Sequence, residues 1–402
     1  LWPHRAAYGF QSSDWADSPH GRHETDDDYQ KFLREHGATM PMAGVAHGAH
    51  FNGWAARPWH LEERLHFSNW VTDKAIEFMD RRDPTRPFFL NVSYHQPHEP
   101  CTPPQAYWDR YINAELPEPS VGEWARVFSE PQLGQPVSSW RTALTPAQQR
   151  QYQAGYYGCI NHIDDQIGRL LMAMPKNTVI CFVSDHGEML GDHQWIRKRT
   201  AYEGSARIPL LFSGVVVPAG GRVHTPVSIL DIGCTLCGLV GADAPPRQDG
   251  MSLAPMIRSA EDSGAGSAVD PAVPDFGGSE RPVISEWVQG GSGGPVPARM
   301  VRSGEWKLIH YRRADIPDQL FNVVADPDEL ENRASARPEV REQLMSELKS
   351  DWNPEAAAAE FSEKSEHIRL IQGFLRRTAE PDPPEERWPF PASSTDSLVE
   401  VL

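Results

Sequence analysis

The string Asp185-His186-Gly187-Glu188 sets a carboxylate, an imidazole and a glycine side by side. A carboxylate oxygen and an imidazole nitrogen suit a divalent cation. Neighbouring side chains on a straight strand point to opposite faces, so both reach one ion only if the backbone turns at once, and Gly187 supplies the freedom for that turn. Two ligands do not complete a shell; the rest must come from elsewhere in the fold. Taken alone, the string also fits an aspartate capping a turn beside a surface histidine. Shortly downstream stands Arg197-Lys198-Arg199. Lys198 can hold an oxyanion as a compact point charge and stabilise or protonate a leaving oxygen. A solvated basic loop is the alternative. Upstream, His95-Gln96-Pro97-His98-Glu99-Pro100 offers further imidazoles, although a lone histidine in such a loop is more often structural.

These three strings need elements that place them at strand ends, where ligands gather in open α/β sheets. Residues 178–184 (TVICFVS) read as an apolar strand buried on both faces and run straight into Asp185. Residues 87–94 read as another and run into His95. Ser68 is placed to cap a helix reaching Arg82, with Trp70, Val71, Ile76, Phe78 and Met79 at helical spacing. Thr145 caps a long helix, with Pro146 in its first turn and Gln148 in the capping-box position, ending at Pro175. A strand over 208–212 and a helix over about 228–238 continue the alternation. The pattern predicts an α/β fold with a mostly parallel central sheet sandwiched by helices.

After Gly250 the composition changes. Residues 259–279 are rich in Gly, Ser, Ala, Asp and Pro and read as a flexible insertion. Short strands over 283–287, 298–302 and 306–311, the last two joined through Ser303-Gly304, predict a small antiparallel sheet, and Pro338 to Trp352 a helix. The expected organisation is a catalytic domain over 1–258, the insertion at 259–279, a C-terminal antiparallel α+β subdomain over 280–379 and a tail at 380–402.

Composition narrows the function classes. The chain has 402 residues, 39% of them apolar, and a formal charge of −17. No run of eighteen apolar residues spans a bilayer. The negative charge and the scattered basic residues argue against nucleic acid. They leave room for a small anion, because a local cationic pocket outweighs a distant field screened over about 10 Å. Cys101, Cys159, Cys181, Cys234 and Cys237 are odd in number and read as free thiols. The Cys234-x-x-Cys237 pair has no second pair and reads as helix packing. The compartment, cytoplasm or periplasm, stays open.

The stretch VSDHGEMLGDHQWIRKRTAYEGSARIPLLFSG at 183–214 resembles the sulfatases of the alkaline phosphatase superfamily at nearly every step. The resemblance extends to PFFLNVSYHQPHEPCTPPQAYWDRY at 87–111, to YYGCINHIDDQIGRLL at 156–171, to 229–253 and to LFNVVADPDELENRA at 320–334. It implies an alkaline-phosphatase-like fold and a divalent metal held by Asp185 and His186, calcium first, manganese or magnesium otherwise. It implies a sulfate contact from Lys198 and a substrate-oxygen contact from His98, both within the catalytic set. The implied reaction is cleavage of a sulfate ester, of a sugar or an aryl group, by a formylglycine made from a cysteine in C-x-P-x-R. That motif is absent here: Cys101-Thr102-Pro103-Pro104-Gln105 lacks the arginine and is rejected as its equivalent. The opening Leu1-Trp2-Pro3 resembles the segment just beyond the family's first active-site region, so the expectation is a chain lacking the N-terminal segment with the nucleophile. A phosphonate or phosphate ester hydrolase and a non-catalytic anion-binding protein stand as alternatives.

Overall fold

The computed structural model describes residues 9–16, 27–38, 53–128, 140–244, 246–259, 281–290 and 294–378. The chain forms two compact units, one of residues 1–118 and 132–175, the other of residues 119–131 and 176–402. The expected insertion at 259–279 (Ser259 aside) and the tail at 380–402 lie outside the described residues.

The first unit is helical. It contains α1 (Asp28–Glu35), α2 (Phe67–Arg81), α3 (Gln105–Ile112) and α4 (Pro146–Ala173). Helix α2 begins one residue before the expected cap, and the imidazole of His66, not Ser68, accepts the Ser68 N–H at 3.1 Å. The reason is tautomeric: His66 Nε2 lies 3.1 Å from the Thr102 carbonyl, which can only accept, so Nδ1 holds the lone pair. Thr145 and Gln148 form the expected reciprocal cap of α4, with the Thr145 N–H donating to Gln148 Oε1 at 2.9 Å. Tyr29, Leu33, Leu65, Phe67 and Trp70 build the core beneath α1 and α2. Each such buried side chain contributes about 2 kcal/mol. Helix α4 approaches the 101–103 segment through glycines: a Cβ on Gly155 would lie 2.3 Å from Ala56 Cβ, and one on Gly158 2.8 Å from Pro103 Cγ.

The second unit holds β1 (Ile180–Val183), α5 (Glu203–Ala206), β2 (Leu210–Ser213), α6 (Asp231–Val240) and α7 (Ala254–Ser259). It continues with β3 (Val283–Gln289), β4 (Val296–Ser303), β5 (Trp306–Tyr311), β6 (Gln319–Asn322), α8 (Pro338–Lys349) and α9 (Pro354–Thr378). Strands β3 to β6 form one antiparallel sheet in sequence order, and Gly304, at φ 53°, makes the β4–β5 turn. Val301, Leu308 and Leu320 pack on Leu344 and Leu348 of α8. Neither β6 nor α9 has a counterpart among the elements read from the sequence.

The mostly parallel central sheet is corrected. Strands β1 and β2 pair antiparallel, Ile180 opposite Ser213 and Val183 opposite Leu210, so both sheets of the described residues are wholly antiparallel, with helices flanking them. Residues 87–94 pair with no strand among the described residues, and Phe89 there is 69% exposed. Strand–helix alternation implies parallel strands only when the intervening helix carries the chain back across the sheet. Here the link from β1 to β2 contains only a three-residue 3-10 turn at Asp192–Gln194 and the four-residue α5 besides loops, so the chain returns beside β1 in the opposite sense. Apolar content signals burial, not strand direction, and even burial is incomplete, since Phe182 and Leu211 are 41% and 56% exposed.

Candidate functional site

Strand β1 ends at Val183 and the chain turns at once. The Ser184 hydroxyl donates to the His186 carbonyl, and Asp185 Oδ1 accepts the His186 N–H at 2.9 Å. His186 Nδ1 lies 3.0 Å from the Gly187 carbonyl. That oxygen accepts only, so Nδ1 carries the proton and Nε2 the lone pair. Nε2 stands 3.6 Å from Asp185 Oδ2. Two ligands each about 2.4 Å from a cation and at right angles to it are about 3.4 Å apart, so the pair matches one edge of a coordination shell. Among the described residues no three His, Cys, Asp or Glu side chains gather as a metal site. The pair therefore fits a cation as part of a shell.

Gly187 is needed for a reason other than the expected one. Its φ is not in the left-handed region. Instead, a Cβ there would lie 2.2 Å from the Gly204 carbonyl oxygen, while the Gly187 N–H donates to the Ser205 carbonyl at 2.8 Å. The glycine lets the turn after β1 lie flat on α5.

Between this turn and α5 the backbone is unusually contorted. Leu190, His193, Gln194, Arg197 and Arg199 all have φ between 48° and 72°. Each left-handed non-glycine residue costs about 1 kcal/mol, so the loop persists only because its contacts overdetermine it. The Glu188 carboxylate accepts the N–H groups of Leu190 and Arg197, and the Met189 N–H donates to the Arg197 carbonyl at 2.9 Å. The His193 N–H donates to the Ser120 carbonyl at 2.7 Å, and its buried ring accepts the Gly122 N–H at 3.2 Å. Lys198 sits half-buried between the two left-handed arginines.

Thr200, Ala201 and Tyr202 of the K-x-T-x-Y-E-G stretch are buried. Thr200 Oγ1 donates to the Met189 sulfur at 3.4 Å, and the fully buried Tyr202 hydroxyl donates to Gln319 at 2.9 Å. Burial, first, raises the Tyr202 phenol well above its ordinary value. Lys307 of β5 is a residue sequence reasoning missed: its side chain is 1% exposed and its ammonium lies 2.6 Å from Glu203 and 2.7 Å from Glu329. It also donates to the Ala201 carbonyl at 2.8 Å. The signal was a lysine inside the apolar strand WKLIHY.

His98 belongs to the other unit. Its Nδ1 lies 2.8 Å from the Glu99 carbonyl and 3.5 Å from the Glu99 carboxylate, which accepts the Tyr152 hydroxyl at 3.1 Å. The His95 ring stands 4.7 Å away. Both Pro97 and Pro100 follow cis peptide bonds. Cys101 is buried and its thiol donates to the Pro97 carbonyl at 3.2 Å, so it presents no nucleophile to solvent. Cys234 is likewise buried, bonded to Gln248 and to the Gly250 carbonyl. A cleft of about 720 Å³ is lined by Arg64, Asp73, Asp164, Asp165 and Arg169 among others, and by none of the residues singled out above.

Similarity to known proteins runs over the same residues. The family model described as Sulfatase matches residues 17–242. An arylsulfatase of Clostridium perfringens is 40% identical over 241 residues, covering 58% of this chain and 50% of its own length. A choline-sulfatase of Rhizobium meliloti is 30% identical over 310 residues, 73% of this chain and 56% of its own. Among solved structures, the phosphonate monoester hydrolase of Agrobacterium radiobacter superposes with a TM-score of 0.65 at 23% identity, over 81% of this chain and 69% of that one, a likeness of fold. The chain spans about half the length of the curated relatives it matches. No helix of the described residues is long and apolar enough to cross a membrane. With more than half of its residues inside that family match, the chain belongs to the sulfatase family.

Proposed function

We propose that the protein acts in the hydrolysis of a sulfuric ester, with Lys198 holding the sulfuryl oxygens and Asp185 and His186 contributing to a divalent-metal site. The observation that carries this reading is the shared footing of the two loops. The Asp185–His186 turn rests on Gly204 and Ser205 through Gly187, and the Lys198 loop runs directly into the same helical turn, α5. A cation-ligand pair and a lysine so tied give a site for a tetrahedral anion whose charge is shared between metal and ammonium. When bound, a divalent ion such as calcium would supply Lewis-acid stabilisation of charge on the ester oxygens.

The chain's own residues then divide the work. The Gly187 carbonyl keeps the proton on His186 Nδ1 and so presents Nε2 as the ligand atom. Lys198 supplies positive charge that grows in value as negative charge develops on the oxygens. The role proposed for His98, a contact to a substrate oxygen, rests on the P-H-x-P string. The formylglycine that the family resemblance implies has no counterpart in a C-x-P-x-R of this sequence. The name of the 40% identical relative favours an aryl sulfate as the first substrate to try.

Calorimetric titration with inorganic sulfate in the presence of calcium tests the reading. Lys198→Ala is expected to weaken sulfate about tenfold or more, and Asp185→Asn to weaken calcium by a similar factor. Unchanged affinities in both variants would overturn the assignment. The 402-residue chain itself is expected to show negligible aryl sulfate turnover, and robust turnover would mean that a nucleophile outside C-x-P-x-R is in use.

A further inference from the structure

We propose that Lys307, from the C-terminal sheet, is a positioning residue for the Asp185–His186 turn and the Lys198 loop, acting through Glu203. Its purpose, though not its geometry, rests on the sulfuric ester reading. An ammonium has three protons to donate. Lys307 has three oxygens within 2.8 Å: it pairs with the Glu203 and Glu329 carboxylates through their Oε1 atoms and donates to the Ala201 carbonyl. The second oxygen of Glu329 accepts the Glu203 N–H at 2.7 Å, so residue 203 is held by both its backbone and its side chain. Glu329 is itself in place because the Trp124 indole donates to its carbonyl at 2.6 Å.

From Glu203 the fixation passes directly to the two loops. Gly204 is the contact that Gly187 lies against, and Ser205 accepts the Gly187 N–H. In the other direction along the chain, Ala201 and Tyr202 end the segment that carries Lys198, three residues before Ala201. A buried ammonium shared by two carboxylates is a costly way to fill a sheet face, since leucine would be drier. It is also directional, and replacing any one partner leaves the others buried without full compensation. The placement is explained if what matters is where residue 203 stands: an apolar contact between β5 and α5 would allow sliding, whereas two close ion pairs and a charge-assisted hydrogen bond to the Ala201 carbonyl do not.

The test uses the 402-residue chain and Glu203→Gln, which keeps an oxygen at the site and leaves the Lys307–Glu329 pair in place. Three readouts are taken: hydrogen exchange over 185–206 and over 306–311, tryptic cleavage after Arg197, Lys198 and Arg199, and sulfate affinity by calorimetry. Exchange at Gly187 and Glu203 and cleavage in the basic loop are expected to rise about tenfold. Leu308 and Ile309 should exchange as in the wild type, and sulfate should bind severalfold more weakly. Lys307→Met should show the same loosening more strongly; if that variant does not fold, Glu203→Gln decides. Unchanged loop exchange, or a rise in 306–311 equal to that in 185–206, would overturn the proposal, because the latter marks general loss of stability. Loosened loops in a protein whose wild type binds no sulfate would uphold the clamp and refute the sulfuric ester reading.

Discussion

In the loop at 95–103 nearly every partner is neutral: the Cys159 thiol donates to Gln96 Oε1 at 2.8 Å, the His66 ring to the Thr102 carbonyl at 3.1 Å, and the Cys101 thiol to the Pro97 carbonyl. At 184–206 the backbone is held by carboxylates and one buried ammonium, through Glu188, Glu203, Glu329 and Lys307. Both regions lean on glycines for close approach, Gly155 and Gly158 in the first and Gly187 in the second. The difference lies in what each must resist. The first loop is pinned against a long helix and can rely on shape. The second carries a run of left-handed residues and needs directional, charge-assisted bonds to keep it from relaxing.

Acid should separate the two regions most sharply. Burial, first, lowers the His162 imidazole from 6.5 to about 4, and burial lowers the neighbouring His66 well below its ordinary value. The unfolded chain takes up these protons near 6.5 while the folded chain does not, so stability present above 6.5 is lost as pH falls towards about 4. For His162 this amounts to about 3 kcal/mol. Glu329 has the opposite sign: burial raises its carboxyl above 4.5, so its contribution is whole below that value and fades as pH rises. Thermal melts from neutral to acid pH should therefore show the helical unit failing first, and His162→Gln should flatten the slope. An unchanged slope would clear His162 of the effect.

Glycine substitutions sharpen the same contrast. Gly155→Ala brings a methyl to 2.3 Å from Ala56 Cβ and 3.0 Å from Cys101 Cβ, and should cost about 2 kcal/mol in denaturant melts. The 184–206 loop should keep its exchange rates in that variant. Gly187→Ala should cost a similar or slightly smaller amount, because β1 and β2 can shift, but it should raise exchange across Asp185 to Ser205 selectively. Equal, global effects of the two substitutions would erase the distinction between a loop held by shape and one held by charge. The smallest effect expected is that of Thr145→Ala, about 1 kcal/mol from loss of the α4 cap, measured by urea denaturation.

Much of this was legible in the residues. The Thr145–Gln148 cap, strand β5 and the β4–β5 turn at Gly304 arise from local chemistry and lie where the sequence puts them. Helix α2 shows how a local rule is displaced from a distance: Ser68 is a good cap, yet His66 takes the role because Thr102, far along the chain, sets its tautomer. The expected strand at 87–94 failed because an apolar run reports a wish for burial without naming a partner.

The sequence by itself determined the family, through a long string of types and spacings, and it determined which side chains were candidates for chemistry. Sheet direction, the reason for Gly187 and the importance of Lys307 were decided only by the tertiary structure. Direction depends on how the chain returns from β1 to β2, the glycine on the carbonyl of Gly204, and the lysine on two carboxylates that adjoin it only after folding. Local spacing encodes which faces seek burial; contacts between distant residues are a property of the folded backbone.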